Sequence, residues 1–348
     1  MILGIYCLII HYFGSDALRV EQQYTGNFYR KTSVLLRSIF GFIPFSFGDL
    51  LYGLLIFALF WKTCLYVKKI IQNNWSFKKA VVFNKLRKLF IYVCFVYIAF
   101  SVLWGLNYDR IGIAGQLGLS IKKYEKKELI QLNSILLDKV NDSKQSLLRN
   151  KIVYPDDRRL FELVTNAYEA AAKKYPFFQY KSPSVKSSMW GWFGNYAGFT
   201  GYYNPFTGEA QVNTTVPAFL RPFISCHEVA HQLGYAKEME ANFAGFLAAT
   251  ASSDTLLHYS AYLDMFLYAN RNLYLADSSS AMLYRNKLSE PVKQDIISWK
   301  QFNKKHETIL EPMDTWMYDK FLLSNNQPKG MMSYSEVVGY LVAYYGIN

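Results

Sequence analysis

Apolar positions run almost unbroken through parts of the first third of the chain and recur at helical spacing in most of the rest. Three runs stand out: "MILGIYCLIIHYF" (1–13), "LLYGLLIFALFWKTCLYV" (50–67) and "LFIYVCFVYIAFSVLWGL" (89–106). The second is interrupted by Lys62 alone and the third carries no charge. Runs of about 18 apolar residues or more suit the hydrocarbon core of a bilayer, so both are expected to cross one. The first run is tight for a crossing and is read as a third, short transmembrane helix. It has no basic leader and no small-residue cleavage site, which argues against a cleaved signal peptide. Beyond residue 107 no run is long enough to span. Apolar residues instead recur at i, i+3 and i+4 near 122–148 and 156–174, the second after a Pro155-Asp156-Asp157 helix start. From Pro176 to Pro222 the texture turns to Gly, Tyr, Trp, Asn and Ser, with "NPFTGE" a turn between the strand-like "GFTGYY" and "AQVNTTV". Helical texture returns at Phe223 and continues to the end. The expectation is an α+β, mostly helical chain in two parts: a membrane anchor, 1–106, with three transmembrane helices, and a domain spanning 107–348.

Composition agrees with the membrane reading. Hydrophobic residues make up 51% and charged residues only 18%, where about a quarter charged is usual for soluble domains. The net charge of +12 raises the question of nucleic acid, but its location answers it. Residues 68–88 hold seven Lys/Arg and no acid between two apolar runs, as a short cytoplasmic loop does, and no nucleic-acid-binding fingerprint accompanies them. The expected partners are therefore a lipid bilayer and no nucleic acid. The positive-inside bias places the chain in the cytoplasmic (inner) membrane, with the domain 107–348 on the extracytoplasmic side. Cys7, Cys64, Cys94 and Cys226 form no C-x-x-C pair and imply no disulfide framework; Cys226 is read as a small packed residue.

The chemistry concentrates in "SCHEVAHQLGYAKEMEANFA" (225–244), which holds two of the five histidines of the chain. His227 and His231 stand at i and i+4, so on a helix both imidazoles project from one face. Two neutral imidazoles at that spacing suit tetrahedral Zn²⁺. Glu228, on the flank of the same face, is placed to act as general base without being a ligand. Gly234 is a natural helix terminator, after which "KEMEANFAGFLAATA" reads as a second helix. Glu238 and Asn242 share one face of it: Glu238 is assigned as third ligand, and Asn242 as the group that orients a ligand imidazole. Glu240 points elsewhere on the helix and is the alternative ligand.

"HEVAH" with a downstream glutamate resembles the zincin metallopeptidases of gluzincin type, and "EMEAN" resembles their E-x-x-A-D element, with Asn242 where Asp is usual. That likeness favours Glu238 over Glu240. More narrowly, the chain resembles the DUF3810 family of bacterial membrane proteins in "GFIPFSFGDLLY" (41–52), "GYYNPFTGEAQVN" (201–213) and "PFISCHEVAHQLGYAKEMEANFAGFLA" (222–248). The resemblance implies a zincin-like fold for the domain and peptidase chemistry, with no substrate specified. It departs from E-x-x-A-D peptidases in the tight spacing from His231 to Glu238. In the metzincin pattern, Lys237 stands where a third His belongs.

The expected function is a membrane-anchored zinc metallopeptidase acting on peptide or protein substrates. Two alternatives are a non-catalytic, zinc-stabilised envelope scaffold and a zinc hydrolase of a non-peptide amide. The segment 199–213 is a candidate edge strand for an extended substrate. Tyr202, Tyr203 and Asn204 are candidate oxyanion donors, although turn and sheet packing is the simpler role for them. Glu209, in the "TGEA" turn, reads as a surface or structural group and not as an acid/base. His258 and His306 read as packed or exposed histidines, with His258 worth testing because gluzincins use a later-helix His; His11 falls in the first apolar run.

Overall fold

A computed structural model of the chain describes residues 2–72, 79–308, 320 and 336–347. The expected helical texture of 309–319 and 321–335 lies outside the described residues, as do residues 73–78 of the basic loop. Among the described residues the chain is mostly helical, with one small sheet. Helix α1 (Ile2–Gly14) has 13 residues, roughly 20 Å at 1.5 Å per residue and short of the hydrocarbon thickness. Two helices among the described residues are long and apolar enough to cross a membrane: α4 (Phe47–Gln72), over Phe47–Lys69, and α5 (Lys79–Leu103), over Phe83–Leu103. The third apolar run thus ends its α-helix at Leu103, not at residue 106. Trp104 leaves helical geometry and packs inward on Tyr203 and His231, and a 3-10 turn (Gly105–Asp109) comes next.

Between α1 and α4 the chain is helical almost throughout: α2 (Ala17–Arg19), a π-helical stretch (Val20–Tyr29) and α3 (Arg30–Phe40) run on without a break. A π-helix of this length is rare, and this one turns Tyr24, Thr25 and Tyr29 inward, where they are buried. With Trp104, Leu106, Tyr108 and Ala236, the two tyrosines and Val20 make a second, smaller apolar core. The main core lies among α7 (Lys126–Arg149), α8 (Asp157–Lys174), α10 (Arg221–Gln232), α11 (Glu238–Ala251), α12 (Thr255–Ala276) and α15 (Val337–Tyr344). The start of α8 is capped by Asp156, which accepts from Arg159 N at 2.8 Å.

The sheet has three short strands in the order β1-β3-β2: β1 (Val185–Ser187) runs parallel to β3 (Glu209–Val212), and β2 (Gly201–Asn204) is antiparallel to it. The expected "NPFTGE" turn links β2 to β3, and β2 is an edge strand. Glu209 is fully buried, and its carboxylate accepts from Phe47 N at 3.1 Å, Gly48 N at 2.6 Å and Thr207 Oγ1 at 2.9 Å. A carboxylate at two otherwise unpaired N–H groups is a favourable helix cap, so the strand pins the start of α4. Asp49, in the first turn of α4, answers by accepting from Met189 N at 2.6 Å and from the Tyr202 hydroxyl.

Candidate metal centre

Helix α10 carries His227, Glu228 and His231; α11 carries Glu238, Glu240 and Asn242. The helices approach until a Cβ at Gly245 would lie 3.0 Å from His227 N, so a small residue is required there. Between them the Nε2 atoms of His227 and His231 lie 3.2 and 3.6 Å from Glu238 Oε2, and the ligand atoms of all three residues fall within 4.8 Å of one another. Tetrahedral zinc with bonds near 2.0–2.2 Å keeps its ligand atoms roughly 3.3 Å apart, so the donor set fits that ion. Each imidazole is held at its other nitrogen: His227 Nδ1 donates to Asn242 Oδ1 at 2.7 Å, and His231 Nδ1 to the Tyr235 carbonyl at 2.7 Å. With Nδ1 protonated, the Nε2 lone pairs are the ones turned to Glu238, the tautomer a metal needs. Glu240 does not join them. Its carboxylate lies against Gly112, in the field of Lys237 and Arg110.

The electrostatics ask for a cation. Burial works against charge on His227, yet the Glu238 carboxylate, with Glu228, outweighs it and lifts the imidazole to about 9. Burial likewise favours neutral Glu238, but the two imidazoles hold it well below the carboxylate range. Glu228 is 4% exposed. Burial raises it to about 7 against the pull of His227 and His231, and its Oε2 has no hydrogen-bond partner among the described residues. Its other oxygen rests on the edge strand, where a Cβ at Gly201 would come within 2.5 Å of Oε1. One proton or metal ion among the three ligands satisfies the cluster, and beside it sits a carboxyl poised near neutrality.

The exit from α10 explains how His231 is fixed. Gly234 has φ +86°, Tyr235 N donates to Ala230 O at 3.2 Å and Gly234 N to His231 O at 2.9 Å, which is the Schellman pattern. The remaining carbonyls at that end are met by the N-terminal third of the chain. Tyr29 Oη and Arg37 Nη1 each donate to Gln232 O at 3.1 Å, Trp104 Nε1 to His231 O at 3.5 Å, and Arg110 Nη1 to Gly234 O at 3.1 Å. Cations suit a helix C-terminus. Arg110 is itself held by Glu21 at 2.7 Å.

The other expected residues have different surroundings. Tyr202 turns toward Asp49, Asn204 Oδ1 accepts from Phe206 N at 2.9 Å within its turn, and Tyr203 packs 5.6 Å from the Trp104 ring, beside the site. His258 bonds Ser252 O at 2.7 Å and His306 bonds Phe302 O at 2.8 Å; neither belongs to the cluster. Buried Cys226 packs in the main core, where burial pushes its thiol up. Two neighbours on α12 were missed by sequence reasoning. Asp264 is raised to about 7 by burial, offset by His227, and Tyr268, one turn on, sits next to Asn242. Asp264 is the single acid of α12, and its i, i+4 spacing to Tyr268 was the available signal.

A family model described as "Protein of unknown function (DUF3810)" matches residues 24–342. No curated protein and no solved structure matches the chain.

Proposed function

We propose that this chain, which by that match belongs to the DUF3810 family, is a membrane-anchored zinc-dependent peptidase of zincin type. The observation that carries the reading is the convergence of His227, His231 and Glu238 within 4.8 Å beside a buried carboxyl, Glu228, with an unpartnered oxygen. Bound zinc supplies Lewis acidity, polarising a carbonyl and acidifying water. Asn242 and the Tyr235 carbonyl present the two imidazoles in the ligating tautomer. Glu228 accepts the proton of the attacking water and returns it to the leaving amine, and its rest against Gly201 holds it at the edge strand. An extended substrate would lie along β2 by adding to that edge. A purely structural zinc calls for four protein ligands; among the described residues the cluster offers three, which favours turnover over a scaffold role.

The same reading puts α4 and α5 in the cytoplasmic membrane and the metal centre on the extracytoplasmic side, on the strength of the basic segment that links them. The decisive experiment is Glu228→Gln in the full chain. Zinc stoichiometry is expected to stay at wild type while hydrolysis of unfolded envelope proteins falls by at least about 100-fold. Retained hydrolysis overturns the mechanism.

A further inference from the structure

The candidate metal centre lies just past the end of α5, and the β2–β3 hairpin beside it is pinned to the start of α4 by Glu209. Trp104 is the first residue after α5, and its ring lies 5.9 Å from that of His231. At the start of α4, Trp190 Nε1 donates to Asp49 O at 3.1 Å, and a Cβ at Gly53 would lie 3.0 Å from the Trp190 ring. Gly53 is six residues into α4, about 9 Å along its axis. Trp190 therefore packs alongside the apolar length of that helix, not above it. From Trp190 the chain enters a short helix, α9 (Gly191–Ala197), "GWFGNYA". Trp192 is 68% exposed and Phe193 55%, and Met189 just before them is 60% exposed. The loop that leads into α4 adds Phe42 at 80%. Large apolar side chains bared together are costly in water and mark an interaction surface, and Trp is favoured at headgroup depth.

We infer that Met189, Trp190, Trp192, Phe193 and Phe42 sit in the headgroup layer of the bilayer that α4 and α5 cross, and that the metal centre takes polypeptides tethered to that same bilayer. The docking rests on reading α4 and α5 as membrane spans; the substrate class rests in addition on the peptidase reading. The geometry supplies the logic. A site held at a fixed, small height above the bilayer meets a tethered chain at high effective concentration, whereas a free peptide must reach it from bulk.

Two measurements on the full chain in lipid nanodiscs test this separately. In a background with Cys7 and Cys64 replaced by Ser, Trp192→Cys carries an environment-sensitive fluorophore. Quenching by lipids brominated near the headgroup, with severalfold protection from aqueous iodide, is expected. Free quenching by iodide and indifference to brominated lipid overturns the docking. Next, one peptide sequence is offered to the zinc-loaded protein either free or joined to a lipid anchor. The anchored form is expected to show at least about a tenfold higher kcat/KM. Trp192→Glu with Phe193→Glu should bring the ratio towards one at unchanged zinc stoichiometry. Equal rates for the two peptides in the wild type overturn the substrate class. Cleavage of neither peptide, with the fluorophore still in lipid, overturns the peptidase reading and leaves the docking supported.

Discussion

Asn242 stands on one helix and orients a proposed zinc ligand on another, accepting the Nδ1 proton of His227 at 2.7 Å. Replacing it with Ala is expected to weaken zinc binding roughly 10–100-fold, and Asn242→Asp should restore much of the loss because a carboxylate accepts the same proton. Competition against a zinc chelator measures both; an Ala variant of undiminished affinity would reduce Asn242 to packing. At this scale the sequence was informative wherever helix geometry turns spacing into direction. His227 with His231, and Glu238 with Asn242, stand at i and i+4, and the structure brings both pairs to one point. It was less informative about Glu240, whose place beside Gly112 depends on a segment more than a hundred residues away. The Tyr235 carbonyl that holds His231 left no signal, since any residue type offers one. Asp264 was hidden because a single acid in a helix that also carries His258, Asn270, Arg271 and Asn272 does not stand out.

The end of α10 shows how an element depends on its surroundings. Gly234 and Gly118 both adopt positive φ, +86° and +64°, but a Cβ at Gly118 meets nothing within 4 Å, whereas one at Gly234 would lie 2.9 Å from Asn107 Oδ1. Both Ala variants carry the left-handed strain, of order 1–3 kcal/mol. Gly234→Ala is expected to melt lower than Gly118→Ala and to bind zinc more weakly, because it also displaces the segment that clamps His231. Thermal melts with and without chelator separate the two effects; matching behaviour of the variants would show that the clamp is dispensable. Helices with a regular apolar stripe (α7, α8) and the β2–β3 hairpin were legible from periodicity and turn residues. The run from Ala17 to Phe40 was not. Its polar residues, Glu21, Thr25, Tyr29 and Arg37, are spent on buried partners across the chain, so they break the pattern that would have announced it.

For the molecule as a whole, the N-terminal third of the chain and the segment after α10 share a second apolar core and a set of carbonyl clamps, so a boundary at residue 106 cuts through contacts that fix His231. A fragment spanning 107–348 loses Tyr29, Arg37 and Trp104 from the end of α10. It is expected to bind zinc at least about tenfold more weakly than the full chain in detergent, by the same logic that makes partners of ligands matter. Zinc titration of both forms checks this, and equal affinity would show that the domain is self-sufficient. The apolar runs made α4 and α5 evident in advance, but composition says nothing about which element outside them the start of α4 leans on. The buried Glu209 cap supplies that answer and carries a mechanical consequence. Its carboxylate joins the start of α4 to the hairpin whose other strand holds Gly201 beneath Glu228. Helix and hairpin are thus joined at one cap, and the apolar length of α4, Phe47–Lys69, counts 23 residues, roughly 34 Å. On the proposed reading of α4 as a membrane span, a bilayer whose thickness tilts that helix is expected to swing the strand under Glu228 with it, so that the reach of the carboxyl follows the thickness of the membrane.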